Sequence, residues 1–307
     1  MRVISTAVPV AADGRRRAAN GWPRRAWRAR RFSALELIIA VALLAIIIAA
    51  LMPMLNNCSG DAKTGTWRLY ETRLRARPET LAYYDFADRG GVTYNRATPA
   101  ETVEDYDANA YIGILRNGTQ WSTGRWPTRT AALFDGEDDF ISIGSFDIQN
   151  ADEAPVGMTI IVSFRALDFS AWDSTLVSKT SGVDGPLWDF GITSVGSSRR
   201  LYFTLRTKDG TETVTANAGD LATDVWLHAT AVYDGQRLRL YLDSAPVGSV
   251  AHSGRIARDP AAGVWIGDRP PTPGTAPFAG LIDEVAIFHA PLRVPDIQEH
   301  YRMGHPE

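Results

Sequence analysis

Three stretches of the 307-residue chain alternate apolar and polar residues with a period of two. In 159–166, Ile160, Val162, Phe164 and Ala166 share one face. In 201–207, Leu201, Phe203 and Leu205 lie opposite Tyr202, Thr204 and Arg206, and in 238–243 Leu238, Leu240 and Leu242 lie opposite Arg239, Tyr241 and Asp243. Successive side chains of a strand point to opposite faces, so one apolar face per run predicts half-buried antiparallel strands. Asp209-Gly210 and Asp234-Gly235 fall between such runs, where glycine supplies the backbone freedom of a tight turn. Only 294–303, with Pro295 near its start, reads as a helix. Many short strands with turn punctuation over 81–303 predict an all-β fold, an antiparallel β-sandwich of the jelly-roll type.

A different constraint comes from residues 37–55, LIIAVALLAIIIAALMPML, which carry no charge. As a helix rising about 1.5 Å per residue they would span roughly 28 Å, close to the hydrocarbon thickness of a bilayer. A helix pairs its own backbone, as a lone membrane crossing must. Residues 1–31 hold nine arginines against one acid, Asp13. Basic flanks stay cytoplasmic, which predicts the head inside and 56–307 outside. The arginines then read as a topology signal and a contact for anionic lipid, not as a nucleic-acid site. Neither an A-x-A cleavage site nor a lipobox at 55–58 is evident, so a retained anchor is expected. Cys58 is the single cysteine, which excludes an internal disulfide and a multi-cysteine zinc site. Residues 56–80 read as a linker, with Trp67-Arg68-Leu69-Tyr70 and Leu74 open to a second reading as helix at the membrane surface. The expected order is a basic tail (1–31), a transmembrane helix (32–55), a linker (56–80) and the sandwich (81–303).

Two family resemblances refine this order. Arg31-Phe32-Ser33-Ala34-Leu35-Glu36-Leu37 resembles the start of type IV pilins and type II secretion pseudopilins, with Phe32 as first and Glu36 as fifth mature residue and Arg31 where the family has glycine. That resemblance implies self-assembly through the helix, with Glu36 pairing a neighbouring subunit's terminal amine. A plain anchor with Glu36 at the headgroup boundary is the other reading. Further along, Phe134-Asp135-Gly136-Glu137-Asp138-Asp139 resembles a signature of laminin-G-like, concanavalin A-like jelly rolls. Trp226-Leu227-His228, Gly280-Leu281-Ile282-Asp283-Glu284-Val285, the closing 291–301 segment and the opening Tyr83-Tyr84-Asp85-Phe86 resemble other parts of the same fold, in the same order. The resemblance implies a structural Ca2+ tying the opening strand to the closing one, with Asp85, a carbonyl near Gly136 and Asp283 as ligands and Asp138 or Asp139 as substitutes. Hard cations take such oxygen donors.

For catalysis the sequence offers little. Glycosidases need two facing carboxylates, and the Glu-x-Asp-x-Glu runs of concanavalin-like enzymes are absent. Strand alternation predicts opposite faces for Asp283 and Glu284. No G-x-S-x-G, H-E-x-x-H or P-loop occurs, and the five histidines form no metal-spaced pair. His228 reads as a hydrogen-bonded packing residue, and no catalytic residue is assigned. Sugar binding needs exposed aromatics beside polar groups. Trp121, Trp126 and Trp172 lie in polar surroundings and are the candidates, whereas Trp188 and Trp226 read as core. The expected function is a membrane-anchored, extracytoplasmic binding protein that recognises a glycan or a protein partner at the cell surface. The alternatives are a pilin-like subunit displaying the sandwich and a glycosidase-like enzyme.

Overall fold

A computed structural model describes Val41, Leu44 and residues 67–97, 111–126, 128–148, 157–182 and 184–305. Contacts divide the chain into two units, Met1–Met54 and Leu55–Glu307. In the first, Val41 and Leu44 are helical with exposed side chains. Phe32, Glu36 and the rest of the apolar run lie outside the described residues. Among the described residues no helix is long and apolar enough to cross a membrane.

The second unit is an antiparallel β-sandwich of two eight-stranded sheets. One sheet holds β1 (Thr80–Tyr84), β4 (Gln120–Thr123), β5 (Thr130–Asp135), β7 (Met158–Ala166), β12 (Leu227–Tyr233), β13 (Arg237–Leu242), β14 (Ala245–Ala251) and β16 (Ala279–Phe288). Its order is β14-β13-β12-β7-β16-β5-β4, with β1 also paired to β16. The other holds β2 (Val92–Thr93), β3 (Gly113–Arg116), β6 (Phe140–Ile143), β8 (Asp173–Ser181), β9 (Gly185–Val195), β10 (Ser198–Thr207), β11 (Gly210–Thr215) and β15 (Val264–Ile266). Its order is β11-β10-β9-β8-β15-β6-β3-β2. The jelly-roll expectation holds. The predicted runs are β7, β10 and β13, and the opening strand β1 lies directly beside the closing strand β16. Between the sheets Ile160, Val162, Phe164, Leu238 and Leu240 meet Trp188, Phe190, Phe203 and Leu205 in one core.

The outer faces of the two sheets differ. On the first sheet a second apolar cluster joins Tyr83, Ile161, Val232, Tyr241, Ala286 and Phe288 to Tyr70 and Leu74 of helix α1 (67–75) and to Ile297 and Met303 of helix α2 (Val294–Gly304). This sheet is covered, so β1, β12 and β16 are buried almost throughout. The second sheet is open: β10 and β11 keep partly exposed polar residues between buried ones. A strand buried on both faces loses its polar alternation, and one with a wet face keeps it.

Three expectations change. Residues 67–80, read as the end of a linker, belong to the folded unit: α1 buries Trp67, Tyr70 and Leu74, and β1 begins at Thr80. Trp226, read as core, is only half-buried just ahead of β12, with the Arg165 guanidinium 5.6 Å from its ring. Asp283 and Glu284 do not act on opposite faces. The pairing of β16 with β7 skips from Ile282 to Glu284, so Asp283 occupies a bulge, and a bulge re-aims side chains. Both acids engage Arg125: its backbone N–H donates to Asp283 and its guanidinium pairs with Glu284.

Candidate functional site: a polar hollow on the open sheet

The open face of β8 to β11 is built by strand register. Asp173 pairs with Thr193 and Thr175 with Gly191. Next, Gly191 pairs with Tyr202 and Asp189 with Thr204. Tyr202 then pairs with Thr215 and Thr204 with Thr213. The alternation that buries Trp188, Phe190 and Ile192 turns Asp189 to the other face. Asp173, Asp189, Thr193, Tyr202, Thr204, Thr213 and Thr215 line a hollow of about 300 Å³, together with Pro186 and Arg269. Gly191 makes room for the Tyr202 ring and the neighbouring strand. A Cβ there would lie 2.3 Å from the Ser174 carbonyl oxygen and 3.0 Å from the Tyr202 ring.

A rigid network lies under the hollow. Asp189 is 1% exposed. Its Oδ2 accepts from Tyr202 Oη at 2.8 Å and Arg269 Nε at 2.7 Å, and its Oδ1 accepts from Thr175 Oγ1 at 3.1 Å. Arg269 Nη2 also donates to Tyr202 Oη at 2.9 Å and lies 3.8 Å from Asp173 Oδ2. Asp173 Oδ1 accepts from Thr193 Oγ1 at 2.6 Å. Burial pushes the Asp189 carboxyl above the usual carboxylate range, against the lowering effect of Arg269 and the hydroxyls. Burial, then the charge of Asp189, holds the Tyr202 phenol well above its ordinary value. Burial alone would lower the Arg269 pKa, but Asp189 reverses that and raises it.

Arg269 owes its place to the residue before it. Asp268 is fully buried and its carboxylate gathers a loop: Oδ1 accepts from the N–H of Arg269 at 2.7 Å and of Ala276 at 2.8 Å, and Oδ2 from the N–H of Gly274 at 2.5 Å. Two backbone bonds pin this loop to β8, Thr175 N–H to the Ala276 carbonyl at 2.8 Å and Gly267 N–H to the Leu176 carbonyl at 3.0 Å. The hollow thus offers fixed hydroxyls, a guanidinium edge and one accessible carboxylate, a set suited to a ligand rich in hydroxyl groups. The Asp189 oxygens accept from three protein donors at 1% exposure, so that acid serves chiefly to hold Arg269, Tyr202 and Thr175 in place.

The predicted residues are scattered. Trp172 is 71% exposed and immediately precedes Asp173 in the chain, but is not among the residues that line the hollow; its carbonyl accepts from the Ser194 N–H at 3.1 Å. Trp121 lies on β4 of the other sheet, half-buried, its Nε1 donating to the Gly90 carbonyl at 2.7 Å. Trp126 is 3% exposed, with the Arg125 guanidinium 5.6 Å from its ring, so it has no face for a sugar. Asp173, Asp189, Tyr202 and Arg269 escaped the sequence reading. Each is ordinary at its own position, and Arg269 comes from a loop 80 residues from Asp189.

The expected calcium ligands do not form a cation cage. Asp85 is buried and ion-paired with Arg75 at 3.4 Å and Arg96 at 3.3 Å, while Asp283 accepts from the Arg125 N–H. Guanidinium groups already supply the positive charge there. Gly136 sits at a separate turn against Ala279, beside Asp135, Asp138 and Asp139. Those three acids are the metal-spaced group among the described residues, their oxygens within 4.8 Å of one another. Asp135 and Asp139 also line a second cavity of about 340 Å³.

Residues 135–298 match the family model of laminin G type described as the concanavalin A-like lectin/glucanases superfamily. The chain belongs to that superfamily. No curated protein sequence matches this concanavalin A-like chain. Among solved structures it resembles domain 4 of a GH43 extracellular arabinanase from Geobacillus stearothermophilus, in complex with arabinotriose: 14% identity over 73% of this chain and 98% of that one, TM-score 0.52. It also resembles the binding domain of botulinum neurotoxin DC in complex with SialylT, at 12% identity over 74% of this chain and 52% of that one, TM-score 0.51. A Trypanosoma rangeli sialidase in complex with 2,3-difluorosialic acid shares 12% identity over 80% of this chain and 39% of its own, TM-score 0.52. At such identities these likenesses establish the shared fold.

Proposed function

We propose that this concanavalin A-like domain is a glycan-binding module, anchored by residues 37–55 and facing the outside of the membrane. The observation that carries the reading is the hollow on the open sheet, where a buttressed guanidinium, a partly exposed carboxylate, threonine hydroxyls and Tyr202 converge. Sugars are recognised by such a convergence of hydrogen-bonding groups in a concave site. The arabinanase domain and the toxin binding domain, both solved with saccharides, make the glycan reading preferable to a protein partner. Binding rather than turnover is favoured because the buried carboxylate of the hollow is engaged by Arg269, Tyr202 and Thr175 and cannot reach a glycosidic bond. The anchor rests on the uncharged apolar run, in which Val41 and Leu44 are helical and exposed, and the outward orientation rests on the arginines ahead of it.

The test is a glycan array probed with the purified full chain and with its Arg269→Ala variant. At least one saccharide is expected to bind the parent chain, with affinity reduced about tenfold or more in the variant. An array without hits, or hits indifferent to Arg269, would remove the reading.

A further inference from the structure

Resting on the glycan reading of the open sheet, we infer that the hollow selects neutral saccharides and discriminates against those bearing a carboxylate. Three charged groups meet at it: Asp173, Asp189 and Arg269. Arg269 is shared by both acids, at 2.7 Å from Asp189 and 3.8 Å from Asp173. One positive charge therefore faces two negative ones. The closer partner is the nearly buried Asp189, so the charge of the guanidinium is largely neutralised from beneath while its exposed edge remains a hydrogen-bond donor to the hollow. The remaining acid is the accessible one, with 35% of the Asp173 side chain exposed.

The flanks do not change this balance. Arg200 is closed by Asp220 at 2.9 Å, and Arg206 lies 3.6 Å from Asp184. The rest of the lining is uncharged: four threonines, Tyr202 and Pro186. Threonine hydroxyls donate and accept, and the carboxylate of Asp173, held by Thr193, is an acceptor for sugar hydroxyls. A neutral polyol satisfies this set. A uronate or sialate brings a second carboxylate towards Asp173, and among the described residues the lining holds no second cation to receive it; like charges across an interface are costly.

The experiment uses the full chain and its Asp173→Asn variant on an array of matched glycans, such as lactose with sialyllactose and a cello-oligosaccharide with an oligoglucuronan. The parent chain is expected to bind neutral members and to bind their carboxylated partners about tenfold more weakly or worse, a gap that narrows at high salt. Asp173→Asn is expected to bring each pair within about threefold. Equal or tighter binding of carboxylated members by the parent chain overturns the selectivity while leaving the glycan reading standing, and so does a gap unchanged in Asp173→Asn. An array with no hit of either kind overturns both together.

Discussion

At the residue scale the hollow depends on one absent side chain and one shared cation. Gly191→Ala would drive a methyl into the Ser174 carbonyl and the Tyr202 ring. The expected cost is about 1–3 kcal/mol of stability in denaturant unfolding, with loss of saccharide binding because Tyr202 is displaced. Arg269→Ala strands a buried carboxylate whose remaining partners are hydroxyls. Removing one member of a buried ion pair costs about 3–5 kcal/mol, and because Arg269 is itself partly exposed the lower end is expected, read from the same unfolding curves. Asp268→Ala should resemble Arg269→Ala in binding although Asp268 touches no ligand-facing group, because it releases three backbone N–H groups that shape the loop. None of this was visible in the sequence. An aspartate on the polar face of a strand looks like any solvated acid until the loop carrying Arg269 is laid over it.

At the element scale, α1 and α2 decide which face of the sandwich is free. Leu74→Ala, at a fully buried contact between α1 and the covered sheet, is expected to cost about 2–5 kcal/mol by chemical denaturation. His228 of β12, His300 of α2 and His305 just after α2 pack among aromatic rings, and neither ring nitrogen of His228 has a hydrogen-bond partner. His228 is thus the packing residue expected, without the expected ring hydrogen bond. Burial holds His228 well below the ordinary imidazole value and lowers His300 and His305 from 6.5 to about 4, helped by Arg77 at His300 and Arg125 at His305. As pH falls below 6.5 the unfolded chain takes up these protons first, so their stabilising contribution is lost between about 6.5 and 4. Glu284 works the other way. Burial, with the charge of Asp283, outweighs Arg125 and raises it to about 7, which favours the folded state on the acid side of that value. Asp189 and Asp283, also raised by burial, act in the same direction as Glu284, so the histidine part is isolated by substitution. His300→Leu is expected to shift the change in Tm between pH 7 and pH 4.5 towards greater stability at pH 4.5, and an unchanged pH profile would show that His300 takes no part in it.

At the scale of the whole molecule, the acids at the junction of the opening and closing strands are engaged by arginines. Asp85 is paired with Arg75 and Arg96, and Asp283 and Glu284 with Arg125, in a network that also holds Glu71, Asp88 and Arg129. The expected outcome is a Tm that agrees within about 1 °C in calcium and in EDTA; a rise of several degrees with calcium would restore a structural ion. What the sequence determined by itself was the sandwich. Period-two runs, Asp-Gly turns and family motifs are local, and strand formation on a half-wet surface is a local preference joined to burial, so β7, β10, β13, β16 and α2 were legible in it. Tertiary structure decided the rest. Covering one sheet with α1 and α2 buried its outer face, the bulge at Asp283 turned two acids towards one arginine, and register placed Asp173, Asp189 and Tyr202 beneath a loop carrying Arg269. These are distances between groups tens of residues apart, set by how elements pack, and nothing in the neighbouring residues of a linear chain encodes them.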